Sequence, residues 1–206
     1  METIIILMIT GVLLVTNACA QSEKVLFEDV FDGKLAAGWT WLRENKEDWR
    51  ITDEGLEIRP RPGDANSVKN ALLLSLPELT TDNLLVAATV TFTADLTEQY
   101  EQAGITWYAD DTPVFKLVHE RIDGDYYIIP GKVPAPEKTV HFQLEVKGDR
   151  YTAKFRQDSE TEYRVVSAGE LKQGGKNQIS LQTYHGPEQG EHWMRFSNFK
   201  ITGLGS

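Results

Sequence analysis

Apolar residues alternate with small or polar ones along most of the chain. Val86, Ala88, Val90 and Phe92 interleave with Ala87, Thr89, Thr91 and Thr93, a period of two that puts each set on its own face of a strand. Val140, Phe142, Leu144 and Val146 alternate with His141, Gln143, Glu145 and Lys147; Gly148-Asp149 turns the chain, and Tyr151, Ala153 and Phe155 return against Thr152, Lys154 and Arg156. This predicts a hairpin with one buried face. A second hairpin is predicted where Trp49-Arg50-Ile51 and Leu56-Glu57-Ile58 flank Asp53-Glu54-Gly55. Further strands are predicted over 25–31, 71–76, 104–108, 114–121, 126–129, 178–184 and 193–201. Beyond the N-terminal segment, helical periodicity is limited to one turn predicted over Thr97 to Gln102.

So many short strands joined by Gly, Asp and Pro turns predict an all-β protein, a two-sheet antiparallel sandwich or a barrel. The sandwich is favoured, because polar faces such as Thr89, Thr91 and Thr93 are not apolar enough to fill a barrel. No repeat or low-complexity tract interrupts the pattern, and Arg59-Pro60-Arg61-Pro62-Gly63-Asp64 reads as a rigid, turn-rich connection within one domain covering 21–206.

Charge narrows the partners. The 206 residues carry a formal net charge of -10, with basic residues scattered, which excludes the electrostatic footprint of nucleic-acid binding or of an anionic membrane surface. Residues 1–20 differ from the rest, with an apolar run from Ile4 to Val15 too short for a membrane span and ending in Ala18-Cys19-Ala20. Such a run followed by a small-x-small pattern predicts a signal peptide cleaved after Ala20 and a secreted or periplasmic protein. Cleavage there leaves no cysteine, so disulfides are not expected. The alternative, a lipoprotein anchored through Cys19, fits less well because Thr16 stands where Leu is usual.

"FEDVFDGKLAAGWTWLRE", "WRITDEGLEI", "EQAGITWYADDTPVFKLVHERIDG" and "RFSNFKI" together resemble the concanavalin-A-like jelly-roll domain, of the lectin/glucanase type, found at the C-terminus of family-43 glycoside hydrolases (β-xylosidases) and in single-domain relatives. The resemblance runs from about Val25 to Ile201. It implies a jelly-roll sandwich of about fourteen strands whose concave face holds an oligo- or polysaccharide. In the xylosidases the module follows a catalytic propeller; this chain is expected to act alone or with a partner chain. Members of that group often hold a structural calcium through acids of the first and last strands. Glu28, Asp29 and Asp32 match one end, but Ser197 and Asn198 stand where an Asp is expected, so calcium is left open and no other cofactor is expected.

Strand parity then distributes the chemistry. With Phe115 and Leu117 facing the core, Lys116 and Glu120 share the outer face, about 13 Å apart along the strand, too far for a salt bridge and suited to lining a groove. His119 falls on the opposite face. Thr106 and Tyr108 on the neighbouring strand, and Gln182 and Tyr184 on another, join the outer face, with His185, Trp41 and Trp193 as rim candidates. Aromatic rings stack on pyranose faces while amides, Lys and Glu bond the hydroxyls. Tyr108, Lys116, Glu120, Gln182, Tyr184 and His185 are therefore the candidate ligand-binding residues. Whether that face is open or roofed by a loop such as Asp123 to Pro136 is a matter for the tertiary structure.

Enzymatic signals are weaker. Glu120 or His185 could serve as a base beside Tyr184 or Lys116, but the chain has no Glu-x-Asp-x-x-Glu run of the kind that retaining hydrolases of related fold use. Asp110-Asp111 precedes Pro113 in a predicted turn, and His119, His185 and His192 lack zinc-site spacing. The leading expectation is a glycan-binding module. A stand-alone glycoside hydrolase or polysaccharide lyase is the alternative, and a structural or protein-interaction module the third.

Overall fold

The computed structural model describes residues 23–76, 83–190 and 192–205. The segment of residues 1–20 read as a signal peptide lies outside them. Fifteen strands follow in order: β1 Lys24–Asp29, β2 Trp39–Leu42, β3 Trp49–Thr52, β4 Gly55–Ile58, β5 Ala71–Ser75, β6 Asn83–Phe92, β7 Gln102–Ala109, β8 Thr112–Ile122, β9 Asp125–Ile129, β10 Val133–Pro134, β11 Thr139–Lys147, β12 Arg150–Gln157, β13 Arg164–Glu170, β14 Asn177–Tyr184 and β15 Met194–Gly203. They form two antiparallel sheets packed as a jelly-roll sandwich. The eight-stranded sheet runs β13-β12-β11-β6-β15-β4-β3, with β1 also on β15, and the seven-stranded sheet runs β10-β9-β8-β7-β14-β5-β2.

The alternation in the sequence maps directly onto the two inner faces. Val86, Ala88, Val90 and Phe92 of β6 and Val140, Phe142, Leu144 and Val146 of β11 line one side of the core. Ile105 and Trp107 of β7, Leu117 of β8 and Ile179 and Leu181 of β14 line the other. Each Val, Leu, Ile or Phe among these contributes roughly 1.5–3 kcal/mol by leaving water, and a one-residue slip would expose a whole row, so burial specifies the register.

Turn chemistry agrees with the pattern. Asp110 and Asp111 both take positive φ, 50° and 61°, in the tight turn between β7 and β8, as a type I′ hairpin turn requires. The turn predicted over 97–102 is no helix. Glu101, fully buried, folds its carboxylate back so that Oε2 accepts from the Thr97 and Glu98 amides at 2.9 and 3.1 Å. Its other oxygen meets His192 Nε2, which ties this loop to the lead-in of β15. Among the described residues no helix is long and apolar enough to cross a membrane.

β7 departs from the half-buried pattern. All eight of its residues are buried, on both faces, although its outer row of Gln102, Gly104, Thr106 and Tyr108 is polar or small. The loop of residues 59–70 covers that row.

Candidate functional site

The roof is built from local signals that close only in three dimensions. Asp64 Oδ1 accepts from the Asn66 and Ser67 amides at 2.9 and 3.0 Å, an Asx-type turn that folds the loop on itself. Arg43 then clamps it, donating Nη1 to Val68 O at 2.9 Å and Nη2 to Asn66 O at 2.8 Å. On the other side His185 N donates to Gly63 O and Gly186 N to Arg61 O, at 3.0 and 3.1 Å. A Cβ on Gly186 would come within 2.4 Å of Pro60 backbone, so the close crossing requires glycine there. Val68 is buried against Tyr184 and Val118, with Ala65 packed beside them. The roof is thus 59–70, not a loop within 123–136.

Beneath it Tyr108, Gln182 and Tyr184, three of the six candidate residues, share the outer face of β7 and β14 as the sequence predicts. They are 2%, 0% and 1% exposed. Gln182 Oε1 accepts from Tyr108 OH at 3.1 Å and from Ser180 Oγ at 2.5 Å. Its amide donates to Tyr184 OH, which also bonds Thr106 Oγ1. Burial pushes both tyrosine pKa values up, outweighing the opposing hydrogen bonds from Gln182 and, for Tyr184, Thr106. These hydroxyls saturate one another and form a floor under the loop.

Lys116, Glu120 and His185 come together where the floor meets the open edge. Lys116 Nζ lies 2.5 Å from Gln102 Oε1 and 3.7 Å from Glu120 Oε2. The expectation that these two are too far apart to pair is therefore corrected. Strand rise separates their backbones, but the four-carbon lysine stem leans along the strand and spans the gap across Gln102. Burial raises the Glu120 pKa, with the Lys116 charge opposing. Burial lowers that of His185, assisted by Lys116 and opposed by Asp64, so the ring is neutral at pH 7. The Lys116 side chain also lines a small hollow with Ala65, Thr106, Pro113, Val114 and Phe115.

His185 opens onto a notch of about 600 Å³ lined by Pro62, Gly63, Glu98, Gln99, Gly186, Pro187, Glu188 and Gln189. Next to this lining the Tyr100 ring stands edge-on to His185 with centroids 6.4 Å apart. Tyr100 is 49% exposed. Both residues take left-handed backbone, φ 66° and 51°, a conformation that costs a side-chain-bearing residue roughly 1–2 kcal/mol. The neighbourhood holds two further residues in place, since Gln99 Nε2 donates to Asp123 Oδ1 at 3.1 Å while Asp123 N donates back to Gln99 Oε1 at 3.0 Å.

The other rim candidates sit elsewhere. Trp41 packs on the core and against Trp49, centroids 4.8 Å apart. Trp193 leads into β15 of the other sheet, with the Arg50 and Arg59 guanidinium groups 4.1 and 4.6 Å from its ring. His119, on the inner face as parity requires, stacks on Phe92 at 4.3 Å and bonds Ala135 O through Nε2. Sequence reasoning missed Tyr100, Gln102 and the Glu98-Gln99 pair. A lone aromatic inside the polar run Thr97-Glu98-Gln99-Tyr100-Glu101-Gln102 is the signal that could have found the first.

The residues matched to a calcium site do not fit one. Asp29 Oδ1 accepts from Phe31 N at 2.7 Å, and Oδ2 from Ala36 N and Trp39 Nε1, both at 2.8 Å. Its oxygens are occupied by N–H donors, whereas a hard cation needs six or more free oxygens. Glu28 pairs with Lys200 at 3.5 Å. Among the described residues no group of three or more His, Cys, Asp or Glu is arranged to hold a metal ion.

No protein-family model matches the chain, and no curated protein is significantly similar to it in sequence. Solved structures share its fold. The CBM2 module of the evolved Dit of Lactobacillus casei BL23 phage J-1 is similar with a TM-score of 0.66 at 7% identity, covering 90% of this chain and 98% of that one. The GH43 BlXynB protein from Bacillus licheniformis is similar with a TM-score of 0.66 at 14% identity, covering 86% of this chain but 39% of that one. The alginate lyase from Klebsiella pneumoniae gives a TM-score of 0.53 at 11% identity, covering 79% of this chain and 86% of that one. At such identities the likeness is one of fold, a jelly-roll domain resembling that of GH43 proteins.

Proposed function

We propose that this protein binds a glycan in the notch beside His185, with Tyr100 as the stacking platform. One observation carries this reading: a half-exposed tyrosine stands against the histidine of a cavity edged by amides and carboxylates, both rings carried on left-handed backbone. That combination of an apolar ring face with several short-range hydrogen-bonding groups is what a pyranose requires. The fold likeness to a CBM2 module supports it. The original candidate set is thereby divided, with His185 in the wall, Lys116 and Glu120 behind it, and Tyr108, Gln182 and Tyr184 as the floor. Calorimetric titration with soluble oligosaccharides is the test. Saturable heat with intact sugar recovered supports binding; flat isotherms across xylo-, gluco-, manno- and galacto-oligomers overturn it.

A carbohydrate-active enzyme is a second reading, favoured by Glu120, a buried carboxyl of raised pKa beside Lys116. New reducing ends or unsaturated products in the same titration would select it.

We also propose that the protein works outside the cytoplasm after cleavage following Ala20, a reading supported by the apolar run from Ile4 to Val15 and by Ala18-Cys19-Ala20. The intact mass of the exported protein checks this: a chain starting at Gln21 agrees, and a diacylglycerol adduct on Cys19 overturns it.

A further inference from the structure

Charge around the notch narrows the class of sugar, an inference that rests on the glycan reading above. Two carboxylates, Glu98 and Glu188, belong to the lining itself. Two more stand close by: Asp64 in the roof turn beside His185, and Asp123 against Gln99. Among the described residues the lining itself holds no lysine or arginine. Lys116 is committed to Gln102 Oε1 and Glu120 Oε2. Arg61 reaches the notch through Nη1, which bonds Glu188 O at 2.7 Å, but its Nη2 is held by buried Asp48 at 2.5 Å, a carboxylate it shares with Arg59 at 3.6 Å. The other polar groups at the lining, Gln99, Gln189 and His185, are amides or an imidazole, able to donate to and accept from hydroxyls. Tyr100 offers a ring face of similar width to a pyranose.

We propose that the notch selects uncharged sugars and rejects uronate- or sulfate-bearing ones. A ligand carboxylate within about 4–6 Å of Glu98 or Glu188 meets like charge, and among the described residues no lysine or arginine belongs to the lining to offset it. An uncharged residue of the same shape meets none.

The test compares one backbone in two charge states: oligogalacturonate, and the same oligomer with its carboxylates reduced to alcohols, titrated at low and at high salt. The reduced oligomer is expected to bind about tenfold or more tightly than the uronate at low salt. The gap should shrink as salt screens the repulsion. Replacing Glu98 and Glu188 together by Gln should raise uronate affinity with the reduced oligomer little changed. Uronate binding as tight as, or tighter than, the reduced form overturns the choice of class while leaving the glycan reading standing. If neither form binds and the neutral panel is also flat, the glycan reading itself fails. A Glu98→Gln, Glu188→Gln variant whose melting temperature matches the wild type ensures that altered affinity reports on charge.

Discussion

Lys116 reaches 3.7 Å from the Glu120 carboxylate although the two stand four positions apart on an extended strand. Glu120 is nearly buried, and its raised pKa means that the folded state holds its proton more tightly than the unfolded chain does. Stability from this group is therefore present at low pH and falls as pH rises from 4.5 through the raised value. Glu120→Gln should raise the melting temperature at pH 7. The variant's advantage over wild type should vanish near pH 4, where the native carboxyl is itself protonated. Paired thermal melts at the two pH values measure it, and a large loss at pH 7 would show the Lys116 pair to be net stabilising.

His119 behaves in the opposite sense. Burial lowers its pKa from 6.5 to about 4, against the hydrogen bond to Ala135 O. Between those values the unfolded chain binds a proton that the folded one refuses. Stability is complete above about pH 6.5 and declines as pH falls toward 4, by about 3 kcal/mol from this group. His119→Phe, which keeps the stack on Phe92, should flatten the dependence of the urea midpoint on pH in that window; an unchanged slope would refute the assignment.

The roof depends on Arg43. Removing its guanidinium in Arg43→Ala frees the Val68 and Asn66 carbonyls. Hydrogen exchange at the His185 and Gly186 amides, which bond Gly63 O and Arg61 O, should accelerate by about tenfold or more, with β6 amides unchanged. Equal acceleration everywhere would mean that the loop does not open separately from the sandwich.

Asp29 organises the segment between β1 and β2 by accepting from three N–H donors. Asp29→Ala leaves the Phe31 and Ala36 amides and the Trp39 indole N–H without their acceptor, a cost of about 2–4 kcal/mol. Chelator and added calcium should leave the wild-type melting temperature unchanged, which differential scanning calorimetry can check.

Tyr100 is half exposed, so its loss should touch binding and not stability. Tyr100→Ala is expected to weaken the preferred glycan about tenfold, with the melting temperature within about 1 °C of wild type. An equal affinity would remove Tyr100 from the site.

The two sheets were legible because the pleat has a period of two, a property of neighbouring residues. Parity alone put Ile105, Trp107 and Leu117 in the core, sent His119 and Glu120 to opposite faces, and gathered Tyr108, Lys116, Gln182 and Tyr184 on one outer face. Composition added a formal net charge of -10. Which part of that face meets solvent was decided by contacts between segments far apart in the chain. Arg43 grips Asn66 and Val68, Gly186 admits Pro60, and the 59–70 loop buries Tyr108, Gln182 and Tyr184 while leaving His185 at an open edge with Tyr100. Periodicity carries no information about the path of a loop, because that path is set by clamps and close crossings that exist only once the sandwich has formed.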